Sequence, residues 1–253
     1  MELKPIAVQL YSLREEAKQD FRGVLQRVAA IGYKGVEPAG FYNLAPKEFR
    51  KIVEDLGMKI YSSHGPWAKL DNLNEVVETA GVLGLDIASS GFGPEQFKSL
   101  DAIKATAEMV NRMVDHLARH HIKLFLHNHW WEFTVVEGRL AYDHFADLCP
   151  NVLFEIDTYW AANFGANDPA AQVKKFKNRT ILLHLKDGPL EKDKAHVAVG
   201  AGKMKFAPIL AAMDPRRVRA LIVELDRCDT DMFTAVEQSY RYLTTHQMAA
   251  GNR

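Results

Sequence analysis

Eight short, almost wholly apolar segments recur along the chain about every 30 residues, each followed by a stretch of helical periodicity. The apolar segments cover residues 6–10, 35–37, 59–63, 87–90, 123–127, 152–156, 180–183 and 220–223. The helical patterns cover residues 21–31, 46–56, 72–83, 102–120, 142–148, 169–176, 206–213 and 230–243. Gly32, Gly57 and Gly84 close the first three, as C-terminal glycines do. Segments this apolar are what parallel strands buried on both faces require. Alternation with helices predicts a parallel sheet covered by helices. Eight repeats predict closure into a (β/α)8 TIM barrel, and about 250 residues is an ordinary length for one such domain. The 253 residues show no linker or shift in composition, so residues 1–253 are expected to form a single domain. The alternative is a doubly wound open sheet, but no G-x-G-x-x-G follows the first apolar segment.

In a barrel, the ends of the strands share one face, and chemistry concentrates there. The fifth segment is the most pointed: Lys123 to Phe133 reads K-L-F-L-H-N-H-W-W-E-F, an apolar run stopping in His127, Asn128 and His129, with Glu132 just beyond. Other segments end in Glu37, His64, Asp157, His184 with Lys186, and Glu224. Glu132, Asp157, His184 and Glu224 form a mixed oxygen and nitrogen set suited to Mn, Mg, Co or Zn as a divalent ion. His127 is the alternative ligand to Glu132. His127 and His129 lie two apart, so on a strand they point the same way. Such an ion would polarise a carbonyl and stabilise an enediolate, while Glu132 or Glu224 removes the α-proton. His129 and Lys186 would orient or protonate substrate oxygens. Glu37, His64, Trp67, His127, Trp131 and Trp160 are expected to contact substrate. All four tryptophans, Trp130 included, fall between an apolar segment and the next helix, where indoles suit sugar faces and exclude water. The competing readings are structural: Glu37 paired with a basic residue on the barrel floor, Asp157 as a helix cap, Lys186 paired with Asp187.

Composition narrows the class. Lys+Arg and Asp+Glu both number 32, which argues against a phosphate-tracking nucleic-acid binder. Two cysteines, Cys149 and Cys228, imply no disulfide framework. No apolar run approaches the roughly 20 residues of a membrane span. No signal segment precedes the first apolar segment, so a cytoplasmic location is expected. Gly200-Ala201-Gly202-Lys203 is a poor phosphate loop and is expected to form a mobile loop over the mouth.

Taken together, A-V-Q-L-Y-S-L-R (7–14), G-Y-K-G-V-E (32–37), S-S-H (62–64), H-N-H-W-W-E-F, E-I-D-T-Y-W (155–160), L-H-L-K-D (183–187) and V-E-L-D (223–226) resemble the sugar phosphate isomerase/epimerase group of the xylose isomerase-like barrels. The resemblance implies a divalent ion held by carboxylates and a histidine, with Asp157, His184 and Glu224 on the matching positions. It also implies proton transfer beside the carbonyl of a small sugar, and self-association, since dimers and tetramers are common among relatives. The chain departs from the pattern at the fifth segment, where many members carry glutamate and this one carries His127. Relatives with histidine-rich motifs there include inosose dehydratases and proteins acting on 3-keto-sugars, which keeps a lyase as the second reading. Abasic-site nucleases share the barrel but need more histidines and a basic groove.

Overall fold

The computed structural model describes residues 3–253. It is a parallel (β/α)8 barrel. Eight strands, β1 (Ile6–Gln9), β2 (Gly35–Glu37), β3 (Lys59–Ile60), β4 (Ile87–Ser90), β5 (Lys123–His127), β8 (Leu153–Asp157), β9 (Thr180–Leu185) and β10 (Ala220–Val223), follow the order β3-β2-β1-β10-β9-β8-β5-β4. The seam between β3 and β4 is bridged rather than laddered. There Ser89 Oγ donates to the Ser63 carbonyl at 2.7 Å, and the Ala68 N–H donates to the Ser89 carbonyl at 2.8 Å. The third strand is shorter than residues 59–63: past Ile60 the Tyr61 and His64 N–H groups still reach the Val36 and Pro38 carbonyls, at 3.2 and 2.8 Å, while the Ser63 carbonyl turns to Ser89.

Helices α1 (Arg14–Ile31), α2 (Pro46–Asp55), α3 (Leu73–Leu83), α4 (Leu100–Ala118), α5 (Ala141–Leu148), α7 (Pro169–Phe176), α8 (Phe206–Ala212) and α9 (Met232–Thr245) cover the sheet, and α6 (Thr158–Ala161) is one turn beyond β8. Local chemistry sets their ends. Ser99 and Asp231 accept the N–H groups of Ala102 and Thr234 at the starts of α4 and α9. Gly32 closes α1 at φ 116°, a conformation that costs a residue with Cβ dearly. The first helix starts earlier than residue 21 because it is two pieces. Asp20, at φ −148°, breaks it and accepts the Gly23 N–H at 2.9 Å, capping the piece that the periodicity marks. A small hairpin, β6 (Val135–Val136) with β7 (Arg139–Leu140), extends the loop after β5. It is too short for a periodic signal.

Two apolar regions result. The larger lies between strands and helices and includes Phe49, Tyr142, Phe145, Phe154 and Leu183. The smaller plugs the barrel and comprises Ala7, Ile87, Phe125, Ile181, Leu182, Ala220 and Ile222. No helix among the described residues is long and apolar enough to cross a membrane.

Phe154 is buried against Tyr142 and Phe176, with ring centroids 4.9 and 5.3 Å away, under the Arg179 guanidinium. Phe154→Ala should therefore cost about 3–5 kcal/mol in urea denaturation. A loss below about 1 kcal/mol would mean that this layer collapses around the gap.

Candidate active site

Side chains on a strand alternate faces, so each inward position is followed two residues later by another. The barrel uses this to stack a polar layer on its apolar plug. Ala7 is followed by Gln9, Phe125 by His127, Leu182 by His184, and Ile222 by Glu224. On β8, Leu153 is followed inward by Glu155 and then Asp157. Parallel pairing aligns these layers: Glu155 lies opposite Leu182, Asp157 opposite His184, and His184 opposite Ile222.

His127, Asp157, His184 and Glu224 converge so that one ligand-capable atom from each lies within 4.8 Å of the others. His184 is at the centre. Its Nδ1 lies 2.7 Å from Glu224 Oε2 and 4.0 Å from Asp157 Oδ2, and its Nε2 lies 2.8 Å from Glu37 Oε1. Burial alone would lower its pKa, but Glu155, Glu37 and Glu224 together hold the imidazole well above its ordinary range. His127 goes the other way. Burial, with His184 and His64 nearby, keeps it neutral, and its Nδ1 lies 3.1 Å from Glu155 Oε2. Burial raises Asp157 to about 6, partly opposed by Lys186 and His184. Asp157 Oδ2 receives no well-directed hydrogen bond among the described residues; the Lys186 ammonium 3.0 Å away compensates it as a charge.

Lys186 is almost fully buried, and its Nζ also lies 3.0 Å from Glu224 Oε2 and from Asp226 Oδ1. Burial disfavours the ammonium, yet Asp157, Asp226 and Glu224 outweigh that and keep it charged. A buried cation needs such partners. The bland pairing of Lys186 with Asp187 is absent. Asp187 instead accepts the N–H groups of Gly188, Gly200, Gly202 and Met204 at 2.8–3.0 Å. The 200–203 loop, expected to be mobile over the mouth, is thus tied to the end of β9. A Cβ on Gly202 would meet Asp187 Oδ1 at 2.1 Å, so only glycine fits there.

The cavity above this layer holds about 470 Å³ and is lined by Tyr11, His64, Trp67, His127, His129, Lys186, Glu224 and Asp226, with Ala39. His64 reaches it from the end of β3, with Nε2 2.6 Å from Glu155 Oε2 and its ring 4.8 Å from that of Trp67. Glu37 does not line it. That carboxylate is fully buried below, accepting from Gln9 Nε2 at 2.6 Å and from Ser62 Oγ, so its partners are neutral donors and histidines rather than a lysine or arginine.

The structure does not bring Glu132 together with Asp157, His184 and Glu224; His127 stands there instead. The chain after β5 makes a 3-10 turn over Trp131–Phe133, which sends Glu132 back to accept the His129 N–H at 2.9 Å. Its other oxygen is buried without a partner among the described residues, and burial raises the carboxyl to about 8. Glu132 thus braces the loop that carries His129. The His129 ring stacks on Trp131 at 4.3 Å, and the Trp131 indole N–H donates to the Phe92 carbonyl. Trp131 therefore backs the cavity wall without lining it, and Trp160 lines a neighbouring cavity. Asp157 does cap α6 as well, since its Oδ1 accepts the Trp160 N–H at 2.9 Å.

Glu155 and Asp226 are the polar groups that the strand-end reading missed. Glu155 was discoverable, since it sits two residues before Asp157 on the same strand face. Asp226 lies past the end of β10, where no periodicity applies.

The sequence profile of the xylose isomerase-like TIM barrel family matches residues 25–246. No curated protein matches significantly. Among solved structures, a sugar phosphate isomerase/epimerase from Parabacteroides distasonis is 26% identical, with a TM-score of 0.81 over 99% of this chain and 96% of its own. A probable 3-DHS dehydratase from Bacillus anthracis is similar at 11% identity and TM-score 0.71, covering 95% of this chain and 98% of its own. A D-allulose 3-epimerase from Methylomonas sp., in complex with D-allulose, is similar at 15% identity and TM-score 0.68, over 97% of this chain and 98% of its own.

A carboxyl raised from 4.5 to about 8 by folding favours the native state below pH 4.5 and loses that advantage as pH rises toward 8. Denaturant titrations from pH 4 to 9 should therefore show wild type losing stability relative to Glu132→Gln across that window. Parallel pH profiles for the two proteins would contradict a protonated Glu132.

Proposed function

The chain belongs to the xylose isomerase-like TIM barrel family, and from that premise we propose that it is a divalent-metal-dependent isomerase or epimerase of a keto-sugar or related polyol. The observation that carries this reading is the convergence of His127, Asp157, His184 and Glu224 on the floor of the 470 Å³ cavity. Two imidazoles and two carboxylates would hold the ion, a donor set that favours manganese, cobalt or zinc over magnesium. Asp157 Oδ2, which accepts no hydrogen bond from the described residues although the Lys186 ammonium lies 3.0 Å away, keeps lone pairs for a cation. Each histidine also has an orienting carboxylate behind it: Glu37 on His184 Nε2 and Glu155 on His127 Nδ1. Such an ion supplies Lewis-acid polarisation of a substrate carbonyl.

The chain's own groups divide the rest. Glu224 is the only carboxylate of the four converging residues that reaches the cavity, so it takes the proton from the carbon beside the carbonyl. The Lys186 ammonium gives a proton to the substrate oxygen. His129, held neutral mainly by burial with a pKa of about 3, orients a hydroxyl. Trp67 covers the ring face and keeps water out. Single domain organisation over 1–253, a sugar-sized substrate rather than nucleic acid, and self-association complete the proposal.

A lyase on the same site is the second reading, and the histidine at the end of β5 favours it. Inversion of a centre is served by proton-transferring groups on both faces, whereas a single carboxylate beside an ammonium, with Lys186 Nζ 3.0 Å from Glu224 Oε2, suits α-proton removal followed by loss of a β-oxygen. Incubation of the metal-loaded protein with a keto-sugar panel in D2O separates the readings. An isomerase or epimerase incorporates deuterium at the α-carbon with no loss of mass otherwise, and Glu224→Gln lowers the rate by about 100-fold or more. Loss of water identifies the lyase. No exchange and no product across the panel would overturn both.

A further inference from the structure

A second cavity of about 380 Å³ adjoins the first. Asp226 lines both. Tyr11 faces the first and Arg14 the second, with the guanidinium 4.2 Å over the tyrosine ring. Lys186, whose ammonium lies among the site carboxylates, also sits 5.3 Å from the Trp160 ring centre. The two spaces are thus separated by a few side chains at the mouth of the barrel.

The second cavity has an aromatic lining. Trp130 and Phe164 have ring centroids 5.7 Å apart, Trp160 and Phe164 6.1 Å, and Tyr159 and Trp160 5.3 Å. Phe164 is held there in a conformation it would not otherwise choose. It sits at φ 55°, after Asn163 at φ 42°, and side chains other than glycine rarely adopt that region. The segment is anchored: Asn163 and Asn167 both donate to the Phe133 carbonyl, at 3.1 and 3.0 Å. Strain that the surroundings enforce is a feature of ligand clamps. Polar donors are also unspent. The Trp160 indole N–H is buried with no acceptor among the described residues. His196 Nδ1 accepts the Asp226 N–H, which leaves its ring proton on Nε2. Lys192 lies 5.3 Å from the Trp130 ring centre at the rim.

We propose that this compartment binds a second ring of the substrate, so that the natural substrate is a glycoside whose sugar occupies the metal-side cavity and whose aglycone or second sugar stacks on Trp130 and Phe164. The inference rests on the sugar reading above for the first ring only. A flat ring matches the aromatic walls, and its hydroxyl or phenol oxygens match His196 and Lys192 in the lining. A phosphate would use Arg14, Lys192, Lys194 and Arg227 but would meet Glu191, Asp193 and Asp226 as well and leave the aromatic walls unmatched.

Saturation-transfer NMR on the intact protein tests this without requiring turnover. The probes are D-glucose, glucose 6-phosphate, cellobiose, 4-nitrophenyl β-D-glucoside and free 4-nitrophenol. The proposal predicts strong saturation of the second ring of a glycoside, and affinity about 10-fold above that of D-glucose, as stacking one ring provides. Trp130→Ala should abolish the gain, and Trp130→Phe should keep most of it. Cellobiose against the aryl glucoside decides between a second sugar and an arene. Trp130-dependent binding of 4-nitrophenol with no binding of any sugar would support the compartment and overturn the sugar reading. D-glucose binding with no Trp130-dependent gain from either glycoside would overturn the compartment and leave the sugar reading standing. A gain confined to glucose 6-phosphate, or no ring showing Trp130-dependent saturation, would also overturn it.

Discussion

His184, fully buried between Glu37, Glu155 and Glu224, is the interaction on which the mouth of the barrel depends. Burying carboxylates is costly unless cations and donors surround them. The barrel meets this with linked polar groups: Gln9, Glu37, His184, Glu155, His64 and His127 are joined by contacts of 2.6–3.2 Å, and Lys186 joins Asp157, Glu224 and Asp226 at 3.0 Å. The apolar plug beneath, from Ala7 to Ile222, keeps water from the lower side. The polar layer therefore has one open direction, toward the cavity.

This arrangement explains why so many motifs of the sequence end in the same place. Period-2 alternation on a parallel strand gives one apolar and one polar inward position per strand, and register aligns them around the barrel. Eight strands and the inward positions of His127, Asp157, His184 and Glu224 were legible for that reason. Glu155 follows from the same rule, once β8 is allowed two polar inward residues. What periodicity does not reach is the loops. Glu132 lies in one turn of 3-10 helix, and whether it joins the cluster or bends back to His129 is decided by the φ and ψ of a few residues. Asp226 and the Asp187 anchor of the 200–203 loop are decided in the same way, by chain direction after a strand ends. The left-handed Phe164 has no signature in the sequence, because the segment around it, not its own preference, sets its conformation.

The division of labour follows from rigidity. Strand-borne groups are fixed by the ladder, so they suit a site that must hold its geometry, whereas loop-borne aromatic groups such as Trp67, Trp130 and Phe164 set what fits above it. A barrel of this kind can thus keep one floor and change what fits above it by its loops.

The identity of the β5 group on that floor is the centre of this account. Elemental analysis of protein purified after metal reconstitution, for wild type, His127→Ala and Glu132→Gln, tests it most directly. A single divalent ion per chain is expected in wild type and in Glu132→Gln, and its loss in His127→Ala. Retention in His127→Ala with loss in Glu132→Gln, or no bound ion in wild type, would contradict it.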